Sequence, residues 1–534
     1  MLDEFRRDFA SFNTDLNREC YLFQSGLKSQ LELAPIYERY NGLYSLDSIS
    51  QLKRTYEASP AEFDLERSSL RRLLAFAVEQ FLACSVRGLT EEISQYEGRA
   101  TIEWSARGLT FHDASVAIIT EPDRALRSRL YNHRAKVIEQ SNGLRLERIR
   151  RMHRAASTVI EAFNVGGTSA KRTEPAVDSG NGAAGTPHSG EVGSIPVNSS
   201  AYPALYEHLF QLDFGDLEQQ ARRLLEKTES VYSARLDERL RNEINVGIAE
   251  AERHDALYFL HTTRYDNLFP VSRLVDVYDR TMSGLGIKID RQRNIEIDGE
   301  PRPRKTPRAF CAPIVVPHEI KLVFRPTGGQ TDYLTLLHEA GHAQHYAWTS
   351  PELRPEFRYT GDYALSETYA FLLNHLPGEP EWLREFLFAG ETEGLVASML
   401  LAKLVTVRRY AAKLIYERKL HTSDDPGAAA AIYAETQSLA TRFQTAETEF
   451  LFDLDDSFYS TSYLRAWAFE VLLRDHLKTR FGKAWWTSKQ AGSFLKEVWE
   501  TGDRYSAAEM AGQIGVGPID FGPLIDEFVA KLSG

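Results

Sequence analysis

The stretch LTLLHEAGHAQHYAW, residues 334–348, sets His338, Glu339, His342 and His345 among apolar residues that read as one buried helix. Polar groups of this kind are costly inside a core unless something satisfies them. His338 and His342 are four apart, so they share a helix face, one turn apart. Two imidazoles at that spacing converge on a single metal ion. Glu339 lies about 100° round the axis and can face a water at that ion. This is the HExxH arrangement, in which the glutamate is a general base and not a ligand. Five residues with two free positions also arise by chance in long helices. A core helix with satisfied histidines is therefore an open reading of the same letters.

His345 does not complete the set. It is seven residues from His338, about 10 Å along the axis at 1.5 Å per residue, while zinc–nitrogen bonds are about 2 Å. It is read as a residue behind the ligands, on the substrate side, or simply packed. The further Gly and His of the extended metzincin pattern are absent. The third ligand is expected to be Glu367, in a second helix read from YALSETYAFLLNHL, residues 363–376. Its neighbours Tyr363, Ala364, Ala370 and Phe371 are largely apolar, and a carboxylate on such a face needs a partner. Glu352, Glu356, Asp362 and Glu379 are the competing acids, and all four sit near prolines or glycines, as loop residues do. Glu367 could also cap its helix beside Ser366.

The remaining chain bounds the class. At 534 residues it can bury a large core and form more than one lobe, and 43% hydrophobic and 26% charged residues are ordinary for a soluble globular protein. A net charge of -12 argues against nucleic acid or an anionic membrane as partner. Three cysteines, Cys20, Cys84 and Cys311, make no disulfide framework and fit a reducing compartment. The opening MLDEFRRDFASFN lacks the apolar core of a signal peptide, and no apolar run is expected to span a bilayer. A cytoplasmic setting follows as the expectation.

Helical spacing dominates the first 165 residues, as in Leu70, Leu73, Leu74, Ala77 and Phe81, and returns in Leu217, Ala221, Leu224, Leu225 and Thr228. Between them, residues 166–200 are rich in Gly, Ser, Pro and Ala and are read as a flexible linker. The expected division is 1–165 as an N-terminal helical lobe and 201–534 as a catalytic lobe. Strand signals cluster in NIEIDG (294–299), AFCAPIVVP (309–317) and IKLVFRP (320–326), giving one small sheet just before the histidine-rich helix. Thr331 or Asp332 is the expected N-cap of that helix. The strand at 309–314 could pair with an extended peptide, or be an ordinary hairpin arm.

HEAGHAQH, followed by Glu367 at 25 residues beyond His342, resembles the thimet oligopeptidase and oligoendopeptidase F family of zinc peptidases. RKTPRAFCAPI, LVFRPTGGQTDYLTLLHEAGH, RYTGDYALSE and SFYSTSYLRAWAFEVLLRDHLKTRF extend the likeness over about residues 300–530. The resemblance implies a mainly α, two-lobed zinc-peptidase fold around a deep substrate channel. It implies one zinc ion on His338, His342 and Glu367, and Glu339 activating water. By position, Tyr459 and Tyr463 match tyrosines that face the substrate carbonyl; aromatic core packing is their other reading. The activity it implies is endopeptidase cleavage of short peptides. Metallocarboxypeptidase or dipeptidyl carboxypeptidase action, and a non-catalytic peptide binder, are the alternatives. The chain departs from the pattern in three places. FDLDDSF lacks the histidine that precedes the tyrosines, a third tyrosine falls at Ala466, and Asn374 stands where an acid is expected.

Overall fold

Helical periodicity governs most of the chain, and the computed structural model, which describes residues 2–60, 64–104, 107–165, 201–261, 264–387, 390 and 392–533, is accordingly built from helices. The proposed linker at 166–200 lies outside the described residues. Among the helices are α1 (Leu2–Gln24), α2 (Leu46–Ala58), α3 (Asp64–Arg99), α4 (Arg124–Val165), α5 (Ala201–Phe210) and α6 (Phe214–Ile244). They continue with α7 (Gln330–Trp348), α8 (Tyr363–Asn374), α9 (Glu393–Thr422) and α10 (Tyr459–Phe481). One apolar cluster runs from Phe9 to Leu532, so residues from both halves of the chain share a core.

By length and composition α3 is apolar enough to cross a bilayer, contrary to the expectation from sequence. Its Leu70, Leu73, Leu74 and Ala77 are instead buried, and the helix packs against α2 and α4. The helical reading of the first 165 residues is also corrected at one point. TIEW and RGLT form an antiparallel hairpin, β1 (Thr101–Trp104) with β2 (Arg107–Thr110). The period-2 signal in TIEW is only four residues long, and Ile102 turns inward beside Phe111 and Ile138.

The expected sheet is present as β3 (Ile295–Asp298), β4 (Phe310–Val315) and β5 (Glu319–Val323), in the order β3-β5-β4. β3 runs parallel to β5, and β4 antiparallel to it. α7 lies against β4 and β5 on one side and against α8 on another. Its cap is neither Thr331 nor Asp332. The helix begins after Gly329, whose φ of +95° suits glycine. The capping oxygen comes from outside the segment, Asp266 Oδ1 accepting from Gln330 N at 2.9 Å. Asp332 reaches back from the first turn to accept from Thr327 N and Gly328 N at 2.9 and 2.6 Å.

α8 is fixed at its start by Asp362, which accepts from Ala364 N at 3.2 Å. The same carboxylate receives Arg465 of α10 at 2.9 Å and Ala507 N at 2.9 Å. Burial raises the carboxyl pKa, but Arg465 and the two backbone donors more than offset it, leaving Asp362 below its usual value. A depressed folded-state pKa stabilises above the unfolded value, about 3.9, and that stability is lost as pH falls through the folded value. Asp362→Asn should therefore cost roughly 3 kcal/mol, the low end for breaking a buried pair. Thermal melts between pH 3 and 7 check this: the variant should lose less stability on acidification than the wild type.

Candidate metal centre

Gly341 permits the site to form. A Cβ there would lie 2.5 Å from both Ala370 Cα and Tyr369 O, so the backbones of α7 and α8 touch at this glycine. That approach brings Glu367 up to the two histidines of α7. Glu367 Oε2 is 3.4 Å from His338 Nε2 and 3.8 Å from His342 Nε2. The three ligand atoms lie within 4.8 Å of one another, the one such metal-capable group among the described residues. Glu367 is 4% exposed, and its Oε2 has no hydrogen-bond donor. An orphaned carboxylate oxygen facing two imidazole nitrogens fits a divalent cation, and the two-nitrogen, one-oxygen set fits zinc.

Each member of the group is held from behind. His342 Nδ1 meets Ser366 Oγ at 2.8 Å; with that nitrogen donating, the Nε2 lone pair is left for an ion. Tyr459 OH donates to Glu367 Oε1 at 2.7 Å, leaving Oε2 as the free oxygen. The His338 ring packs on Phe371 at 5.2 Å. Burial takes His342 down to about 4, keeping it neutral as a ligand must be. Burial acts the same way on His338, but Glu367 reverses the shift and raises it. Burial also opposes ionisation of Glu367, yet His342, His338 and Tyr459 bring its pKa below the usual value.

Glu339 stands apart from the three. Its Oε2 accepts from Cys311 N of β4 at 2.9 Å, which ties it to the sheet and not to the cluster. Burial pushes it up to about 7, with the Glu367 charge adding to the rise. A cation on the three ligands would act in the opposite sense. β4 is an edge strand, but Cys311 N is spent on Glu339 and the Pro313 carbonyl accepts from Asn17 at 2.9 Å. A peptide adding to this edge would find those two groups engaged.

His345 is fully buried, ringed by Tyr346 and Tyr369, and both ring nitrogens lack partners. It is a packed residue. Among the competing acids, Glu356 is also buried, in a short helix, and pairs with Arg6 at 2.9 Å. Glu379 pairs with His375 and Lys478, Asp362 with Arg465, and Glu352 is exposed.

The fold has known counterparts. A PZ peptidase A solved with an inhibitor superposes with a TM-score of 0.63 at 13% identity, covering 94% of this chain and 87% of that one. A chain from Bacillus anthracis assigned as an oligoendopeptidase F gives 0.61 at 12% identity, over 94% of this chain and 83% of that one. Another chain so assigned gives 0.61 at 15% identity, over 99% and 94%. The chain has the oligoendopeptidase F fold. No protein-family model matches the sequence, and no curated protein matches it.

On this fold the departures acquire physical roles. Asn374 donates from Nδ2 to Leu334 O at 2.8 Å, tying the end of α8 to the start of α7. Tyr463 is packed among Tyr410, Phe371 and Trp467, with centroids 5.0 to 5.8 Å away, and its hydroxyl makes no hydrogen bond among the described residues. Burial and the nearby Glu367 raise its pKa, so it stays a protonated donor. Tyr459, expected to face substrate, has its hydroxyl on Glu367. Just before it, Ser457 (φ 61°) and Phe458 (φ 53°) both adopt left-handed backbone, at a cost of roughly 1–2 kcal/mol each. The sequence reading missed Ser366, Gly341 and Cys311 N. Ser366 and Gly341 were visible as letters inside the two motif helices, whereas a backbone N–H leaves no letter.

Gly341→Ala should push α7 and α8 apart. Overpacking of this kind costs about 1–3 kcal/mol, and zinc affinity should fall at least tenfold. Chelator competition and a thermal melt measure the two effects. An alanine variant with wild-type zinc affinity would mean that Glu367 reaches the histidines without the close approach.

Proposed function

We propose that the chain is a zinc-dependent oligopeptidase that cleaves peptide bonds in short, unstructured peptides. The observation carrying this reading is the convergence of His338, His342 and an orphaned Glu367 oxygen, with Glu339 beside them and held out of the ligand set. The likeness in fold to a PZ peptidase and to chains assigned as oligoendopeptidase F supports it.

His338, His342 and Glu367 would hold the ion, and zinc supplies Lewis acidity there, polarising a carbonyl and lowering the pKa of water. The residues of the chain do the rest. Glu339, kept in reach by Cys311 N, takes a proton from the attacking water and passes it to the leaving amine. Tyr463 donates its free hydroxyl to the carbonyl oxygen as charge develops on it. Tyr459 keeps Glu367 oriented through Oε1.

Metal analysis should give about one zinc per chain, strongly reduced by His338→Ala, His342→Ala or Glu367→Ala. Glu339→Gln should keep the zinc and lose hydrolysis of a quenched fluorescent peptide. Near-normal turnover by that variant would remove Glu339 from the mechanism.

The two tyrosines separate by readout. Tyr463→Phe should lower kcat by roughly 10- to 1,000-fold, the scale of a lost oxyanion donor, with zinc affinity unchanged. Tyr459→Phe should weaken zinc binding first, because its hydroxyl touches a ligand. Steady-state kinetics beside chelator competition distinguish the two patterns, and the reverse pattern would exchange their roles.

A further inference from the structure

The run FDLDDSFY, residues 452–459, carries three aspartates, and each has a cation opposite it. Asp453 pairs with Arg409 of α9, and Asp455 with Lys413, one turn further along, at 2.8 Å. Glu417, another turn on, accepts from Asp455 N at 2.9 Å and from Ser460 Oγ at 2.6 Å. One stripe of α9 thus tracks the run along its length. Asp456 turns the other way, to Arg148 of α4. That guanidinium donates from both terminal nitrogens, one at 2.9 Å to Oδ1 and the other to Oδ2, while its Nε donates to Thr90 Oγ1 at 2.9 Å.

The next two residues are the left-handed pair. Ser457 is held through its N–H by Tyr202 OH at 3.2 Å and through its hydroxyl by Tyr206 OH at 2.9 Å. The Phe458 ring is 1% exposed and packs on Phe214 at 4.5 Å and His421 at 5.1 Å. Two consecutive non-glycine residues at positive φ persist only where surroundings impose them. Relaxing either would swing the backbone that launches α10, whose first residue, Tyr459, reaches Glu367.

We propose that Arg148 is a positioning residue: its ion pair with Asp456 holds the left-handed Ser457–Phe458 turn, and through that turn keeps the Tyr459 hydroxyl on Glu367. A helix from the first third of the chain thereby orients a ligand in the last. The inference rests on reading His338, His342 and Glu367 as the metal site. It gives the acidic run a purpose that its letters do not suggest, since three aspartates beside an active-site helix would otherwise read as a solvated loop.

The Arg148 side chain is 18% exposed and that of Asp456 51%, so substitution there leaves the core intact. In Arg148→Gln, hydrogen exchange over residues 455–461 of the metal-free protein should speed up about tenfold, with the melting temperature close to wild type. Zinc affinity should fall about tenfold, and Arg148→Lys should recover part of it. A double-mutant cycle with Tyr459→Phe decides the route. If Arg148 acts through Tyr459, adding Arg148→Gln to Tyr459→Phe weakens zinc binding no further. Losses that multiply, or unchanged exchange at 455–461, overturn the proposal. Should the wild type bind no zinc, the metal-site reading falls, and the exchange measurement on the metal-free chain still tests the clasp.

Discussion

Everything at the centre depends on the contact between two helix backbones at Gly341. An imidazole pair four residues apart arises within one helix by simple periodicity. The third member of the group cannot, because Glu367 belongs to a different helix and must be delivered within a few ångströms. The missing side chain at residue 341 sets that distance, bringing the backbone of α8 at Ala370 against α7. Asp362 at the start of α8 and Asn374 at its end then fix the rotation and slide of the helix, one through Arg465 and Ala507, the other through Leu334. Neither contact touches His338, His342 or Glu367, yet both decide where Glu367 points.

The small sheet serves the same centre in another way. Glu367 is buried and Glu339 half-buried within one site, and like charges so placed oppose each other's ionisation. The structure separates them by hydrogen bonding. Glu367 receives a phenol on Oε1 and faces the histidines with Oε2, while Glu339 is drawn to the Cys311 N–H of β4. Two identical functional groups are thus given different surroundings by what lies behind each one. The sheet contributes one backbone donor, at a place where no helix could offer a free N–H except at its end.

Much of this was legible in the letters, because local spacing carries the information. HExxH fixed one face of α7, the apolar setting of Glu367 marked it as a carboxylate needing a partner, and the β-rich runs placed three strands beside the motif. The failures share a physical cause: the deciding partner sits far away in sequence. The cap of α7 comes from Asp266, the donor for Glu339 is a backbone atom 28 residues away, and the engagement of Tyr459 with Glu367 spans 92 residues. The β1–β2 hairpin escaped for a different reason, since four alternating residues are too few to outweigh helical surroundings on both sides. Side-chain hydroxyls were read from position alone, which left the hydrogen bond from Tyr459 to Glu367 unseen.

The shared core has a consequence for how the chain comes to exist. Phe9 and Leu532 belong to one apolar cluster, Arg6 pairs with Glu356, and Arg148 with Asp456. Contacts so distant along the chain close large loops, which makes assembly slow compared with helix formation. During synthesis from the N-terminus, α3 finds α2 and α4 early, but α1 emerges some 300 residues before β4, against which it packs. At roughly 5–20 residues per second, Arg148 waits tens of seconds for its aspartate. Through that interval Phe9 and Phe12 of α1 lack the distant part of their shared core, and the nascent chain's vulnerability to aggregation lies in such faces.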